Sequence, residues 1–314
     1  MKFSVGLPKI CGDFLPCIIN NASHISEVYF SWGDFPSGRG SHTQSQEYTE
    51  WDVLFLQHEA LSEITKANIG LNLLFNANCY GENSLSKEFF CKVGDTIDYI
   101  GQKFSLPSVT TTSPVIAKFI KKNFPEVSVR ASVNMEIGTV QGMEYLSDLF
   151  DGFYIKRELN RDMEAIKKLH AWANPCGKKL YMLVNSGCLN YCSAHVFHDN
   201  LVAHESQIVK MDNAYKFEGI CRSFLKKEEN YKKIMDYTNF IRPEDVEKYS
   251  PYIESAKLAT RVHKNPSMVV SSYVSGRYSG DLLQILEPAH SIYPYVLENG
   301  DPVKIVKISD SMLF

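Results

Sequence analysis

The chain has 314 residues, 44% of them hydrophobic and 22% charged, an ordinary composition for a globular protein with room for one or two cores. Its 33 basic and 36 acidic side chains leave a net charge of −3, so no global basic field points to nucleic acid. No apolar run is long enough for a membrane span, and Met1 to Ile10 lacks the apolar stretch of a secretory signal, so a cytoplasmic protein is expected.

Strand and helix patterns alternate along the chain. Phe3 to Leu7 reads as a strand, followed by a loop punctuated by Gly and Pro. Val28 to Trp32 is a second strand, running into the Gly-rich loop Gly33 to Gly40. Glu47 to Lys66 carries Trp51, Leu54, Phe55, His58, Leu61 and Ile64 at helical spacing, which predicts one apolar face. Ile69 to Phe75 is a third strand and Lys87 to Lys103 a helix. Pro107 to Thr112 is a fourth strand, and Ser113-Pro114 supplies the cap and first position of a helix reaching Asn123. Val127 to Val133 is a fifth strand, with a helix near Thr139 to Leu149. Gly152 to Arg157 is the sixth, with a helix from Asn160 to about Asn174. Leu180 to Val184 is the seventh and breaks at Asn185-Ser186-Gly187.

A long insertion follows, from Ser186 to about Lys233. Asp236 to Phe240 reads as a short strand and Arg242 to Asp245 as a turn opening a helix. Ala256 to Thr260 is the eighth strand, Pro266 to Ser275 a helix, and Pro302 to Phe314 a tail with an edge-strand pattern. This alternation, without a G-x-G-x-x-G after the first strand, predicts a (β/α)8 TIM-type barrel with a Cys-rich insertion after the seventh strand. The expected division is one barrel domain over residues 1–314, with 186–235 as a metal-binding insertion and 290–314 as a C-terminal extension.

In such barrels chemistry sits at the C-terminal ends of the strands. Here those ends present Arg39, Asn78 with Cys79, Thr112, Asn134, Arg157 with Glu158, Cys188 with Cys192, and Arg261. Cys188, Cys192, His195 and His198 form the densest group of soft ligands, and Cys221 comes next. Clustered thiolates after a strand suit an iron–sulfur cluster; Cys-x3-Cys-x2-His-x2-His also suits zinc. The plainer alternative is a loop with inert thiols. Glu158 is a candidate general base, or else the partner of Arg157, Arg161 or Arg261 in an ion pair. Arg39 and Arg261 suit a carboxylate-bearing ligand, and Asn134 could orient it. Cys79, at a strand's C-terminal end, is the candidate fourth metal ligand. No H-E-x-x-H and no G-x-S-x-G is present.

Three segments carry a resemblance. Arg157 to Asp162 (RELNRD), the Cys-bearing loop with Cys221-Arg222, and Lys257 to Arg261 (KLATR) followed by Tyr273 resemble motifs of the U32 family of nominal collagenase-like peptidases. Thr260 stands where that family's segment usually has Gly. The resemblance implies a TIM-type barrel, a 4Fe–4S cluster held by Cys188, Cys192 and Cys221, and oxygen-independent hydroxylation of a small organic or aromatic substrate. The family's usual fourth Cys lies downstream, whereas this chain has no Cys after Cys221. Peptidase activity, as the family name says, is one alternative. A non-catalytic iron–sulfur or zinc protein working with a hetero-oligomeric partner is another.

Overall fold

The computed structural model describes residues 1–38, 48–212, 215, 217–290, 295–298 and 301–304. Eight parallel strands close a barrel in sequence order: β1 (Phe3–Gly6), β2 (Ile25–Phe30), β3 (Gly70–Phe75), β4 (Ser108–Thr111), β5 (Ser128–Ala131), β6 (Gly152–Tyr154), β7 (Lys179–Leu183) and β8 (Ser255–Leu258). Closure comes from β1 pairing with β8, Phe3 opposite Ala256. The helices of the shell are α1 (Phe14–Asn20), α2 (Glu50–Lys66), α3 (Lys87–Phe104), α4 (Pro114–Asn123), α5 (Val140–Glu144) and α6 (Met163–Ala173). Between β7 and β8 come α7 (His195–Ala203), α8 (Glu205–Ile208), α9 (Ile220–Leu225), α10 (Glu228–Tyr231) and α11 (Ile234–Tyr237), and α12 (Pro266–Ser275) follows β8. The (β/α)8 barrel expected from the sequence is therefore present. No described helix is long and apolar enough to cross a membrane.

The shell helices form where apolar residues recur every three or four positions. In α3, Val93, Ile97, Ile100 and Phe104 are buried. At α4 the Ser113 hydroxyl accepts from the Ile116 amide and Pro114 opens the helix, as the sequence predicted. Four expectations change. The loop after β1 contains α1, whose Phe14 and Ile18 are buried; Pro16 is tolerated because it falls in the first turn. The buried stripe of α2 is Gln57, Ala60, Leu61 and Ile64, while Trp51 and Phe55 stay exposed, because only the later turns of the helix reach the barrel wall. Asp236 to Phe240 is not a strand: α11 covers its start, and only Thr238 bridges to Leu189. The tail pattern forms β10 (Asp301–Lys304) against β9 (Tyr295–Glu298), a two-stranded hairpin separate from the barrel.

Two cores result. The larger lies between the strands' outer faces and the helices, from Val5, Val28 and Leu73 to Ile166, Leu258 and Val269. The barrel's inside is mostly polar. Glu27 on β2 accepts from Ser4 at 2.8 Å, and both its carboxylate oxygens accept from Arg130 Nη1 on β5 at 2.6 Å. Arg130 stacks on the Tyr181 ring at 4.3 Å, and Lys257 Nζ stands 4.0 Å from the Tyr29 ring and 4.9 Å from that of Tyr154. Asn72 joins Ser108 and Thr110 at 2.8 Å each. Two glycines make room for the rings. A Cβ on Gly6 would come within 2.6 Å of Tyr29, and one on Gly152 within 2.7 Å of Tyr181.

Candidate functional site at the barrel mouth

The C-terminal rim is drawn together by Asn185, the residue after Val184. Its side chain accepts from the Ala259 amide at 2.6 Å and donates to the carbonyls of Ala259 at 3.3 Å and Ile285 at 2.9 Å. Gly187 N–H then donates to Glu287 O, and His290 Nε2 meets Gly187 O at 2.6 Å. Burial pushes the His290 imidazole below its ordinary pKa, with Arg222 adding to the effect. The predicted turn is thus a clasp joining the ends of β7 and β8 to residues 285–290.

Above the polar interior is a small cavity of about 50 Å3. Its walls include Asn76, Asn134, Arg157, Asp199, Lys257 and Arg261. Three cationic side chains and two amides therefore meet a space that also touches two carboxylates, Asp199 and Glu287. Arg261 and Asn134 were expected here from the sequence. Arg261 Nη1 donates to Ser37 Oγ at 2.8 Å, and Asn134 Nδ2 reaches Asn76 O at 3.4 Å. Arg39, the other expected arginine, lies outside the described residues. Glu158 is not on the cavity wall: Oε1 accepts from the Tyr191 amide at 3.2 Å, and Oε2 is 3.9 Å from Lys156 Nζ. Of the three arginines offered as its alternative ion-pair partners, Arg161 is turned instead to the carbonyls of Met235 and Phe240.

Arg157, which the sequence placed at a strand end on this rim but with no catalytic or binding role, turns out to be central. It lies just beyond β6, is buried, and lines the cavity. Its Nη1 is 3.8 Å from Cys188 Sγ, while Nη2 donates to Glu136 at 3.0 Å and contacts the His195 ring. Burial raises the Glu136 carboxyl above the ordinary carboxylate range, against the opposing pull of Arg157. His195 also faces Glu136 at 3.5 Å and Asp199 at 3.4 Å. Asn78 Nδ2 donates to Asp199 from the β3 loop at 3.4 Å.

The cysteines divide. Burial raises the Cys221 thiol's pKa, and the neighbouring Cys188 and then Cys192 push it further, so these thiols share one electrostatic neighbourhood. Cys79 is on the same rim after β3, its sulfur accepting from the Gly81 amide at 3.5 Å. All eight cysteines are free thiols. Among the described residues, no three Cys, His, Asp or Glu side chains are grouped to hold a metal ion. The thiols match an iron–sulfur cluster in donor type and share a neighbourhood, but they are not drawn around one point.

No family model matches the chain. An uncharacterised protease of Methanocaldococcus jannaschii is 26% identical over 245 residues, spanning 74% of this chain and 69% of that protein. A U32 peptidase of known structure superimposes with a TM-score of 0.53 at 13% identity, over 69% of this chain and 82% of its own. The chain resembles the U32 peptidases. On that U32-like frame, the Arg157 to Asp162 segment forms the turn after β6, which carries Arg157 to the cavity. Lys257 and Arg261 of the KLATR segment line the cavity from the end of β8. The Cys loop adjoins the first of these segments through Arg157 and Cys188.

Proposed function

We propose that the chain is an iron–sulfur barrel enzyme that modifies a small carboxylate-bearing organic molecule, by oxygen-independent hydroxylation or a related reaction. One observation carries this reading: Arg157 touches Cys188 and lines the cavity that Lys257 and Arg261 also face. A guanidinium there can bind a carboxylate by paired, charge-assisted hydrogen bonds. Asn134 and Asn76 orient what is bound. Cys188, Cys192 and Cys221 would hold the cluster, with Cys79 as the proposed fourth ligand on the same rim. A bound cluster supplies one-electron redox chemistry. The residues themselves fix the ligand's charge, its orientation and its distance from the thiols.

Anaerobic purification with iron and sulfide counting tests this. The expected product is brown, absorbs near ~400 nm through thiolate-to-iron charge transfer, and bleaches in Cys188→Ser, Cys192→Ser or Cys221→Ser. Colourless protein fully loaded with zinc would overturn the cluster. The second reading, a peptidase, is favoured by the relative's name and by a thiol, an imidazole and a carboxylate near Arg157: Cys188, His195 and Asp199. Cleavage of a peptide by pure protein, abolished in Cys188→Ser without loss of fold, would establish it.

A further inference from the structure

We infer that α7 is a lid over the cavity, held shut by a polar latch whose pieces are His195, Asp199, Asn78, Glu136 and Arg157. The inference rests on the ligand-site reading only for what the lid admits.

Three observations lead to it. First, the helix follows β7, yet its side chains fasten to the far side of the mouth. Asp199 accepts from Asn78 on the loop after β3, four strands away around the ring. His195, one turn earlier, meets Glu136 beyond β5 and Arg157 beyond β6. Positions four apart share a helix face, so both latch residues point down onto the rim. Second, the helix is lightly buried, and the ring contacts of Phe197 and His198 go to Phe217 of the same insertion rather than to the barrel. Ala203 is its single buried residue, and Val196 and Phe197 are exposed. An element with few buried apolar contacts opens locally at low cost. Third, the helix borders the cavity itself, whose water-sized room of about 50 Å3 holds a few waters. Asp199 forms part of its wall, so displacing α7 enlarges the space directly.

The latch and the ligand site share one residue. Arg157 binds Glu136 and contacts His195 while facing the cavity. A carboxylate in the cavity competes for that guanidinium, which ties ligand binding to the position of the lid. His195 N–H also donates to Cys192 O, so the lid is anchored to the Cys loop at its first residue.

Hydrogen exchange on the full chain tests the latch without any ligand. Asn78→Ala removes one donor to Asp199; because Asn78 Oδ1 has no partner, the truncation strands no donor elsewhere. Asp199→Asn keeps the size and removes the charge. In both variants the amides of 195–203 should exchange roughly tenfold faster, the loss expected for a hydrogen bond to a charged group. The barrel strands should keep their wild-type rates. Unchanged exchange in 195–203, or acceleration shared evenly with the strands, overturns the lid. A second arm uses malonate as a small dicarboxylate: its association rate should rise in the variants in the same ratio as the exchange. Faster exchange with unchanged association means that the helix frays without guarding the cavity, and the lid falls. If malonate binds no form of the protein, the carboxylate reading fails instead, and exchange alone decides the latch.

Discussion

Glu27 and Arg130 form an ion pair inside a barrel, where desolvation makes the pair sensitive to losing either half. Their side chains are 6% and 12% exposed, and Arg130 Nη1 meets both carboxylate oxygens at 2.6 Å. Removing one partner of such a pair leaves a buried charge uncompensated and costs about 3–5 kcal/mol, whereas replacing both by apolar groups of similar volume is near neutral. Glu27→Gln and Arg130→Met should each show the single-partner cost. For a chain of this length, an unfolding entropy of about 2.1 cal/mol/K per residue converts that loss to a Tm drop of roughly 5–8 °C. The double variant Glu27→Leu/Arg130→Met should lie within about 1.5 kcal/mol of the wild type, the residue of its cost being the lost Ser4 hydrogen bond and the lost stacking on Tyr181. Urea unfolding followed by circular dichroism measures all four corners of the cycle. Single variants costing less than about 1 kcal/mol, or a double variant equal to the sum of the singles, would refute the reasoning.

Other outcomes follow from the rim clasp. Asn185→Ala strands the Ala259 amide and the Ile285 carbonyl in a buried site and should cost about 3 kcal/mol, read from the urea midpoint. Gly187→Ala sets a methyl against the Pro288 carbonyl oxygen and should destabilise by about 1–3 kcal/mol through overpacking, with residues 285–290 becoming sensitive to protease. His290 is held neutral by burial, so its folded pKa lies below the ordinary 6.5 and the unfolded chain binds the extra proton first. Stability should therefore fall as pH drops below about 6.5, by at most about 1.4 kcal/mol per pH unit from this group. Comparing urea midpoints at pH 7 and pH 5 in His290→Gln should show a smaller loss than in the wild type; an equal loss would remove His290 from the account.

The frame was legible because each strand is a short apolar run closed by a polar residue, and helical spacing fills the gaps. What lies inside the ring was harder to read. Glu27 precedes the run that begins at Val28, so the second strand was placed too late to include it, although β2 starts at Ile25. Lys257 sits within an apolar strand; alternation with Ala256 and Leu258 was the available sign that it points inward. At the rim, Arg261 and Asn134 were found because they end strands. Arg157 and Glu158 are neighbours in sequence, and only the turn after β6 sends the first to the cavity and the second beneath Tyr191. Asp199 could not be found from strand ends, since it arrives on a helix of the insertion.

The closing pair of strands has a consequence for how the chain is made. Gly6 N–H waits for Thr260 Oγ1, 254 residues later, and the edge of β1 waits for β8 just as long. At about 5–20 residues per second, the nascent chain carries that unpaired edge for roughly 10–50 s. Glu27 waits for Arg130 across 103 residues, so a half-made barrel cannot bury its second strand without a naked carboxylate. A fragment ending after β4 therefore has both an open sheet edge and an uncompensated interior charge. The edge of β1 therefore stays open until residues 255–260 arrive to pair with it.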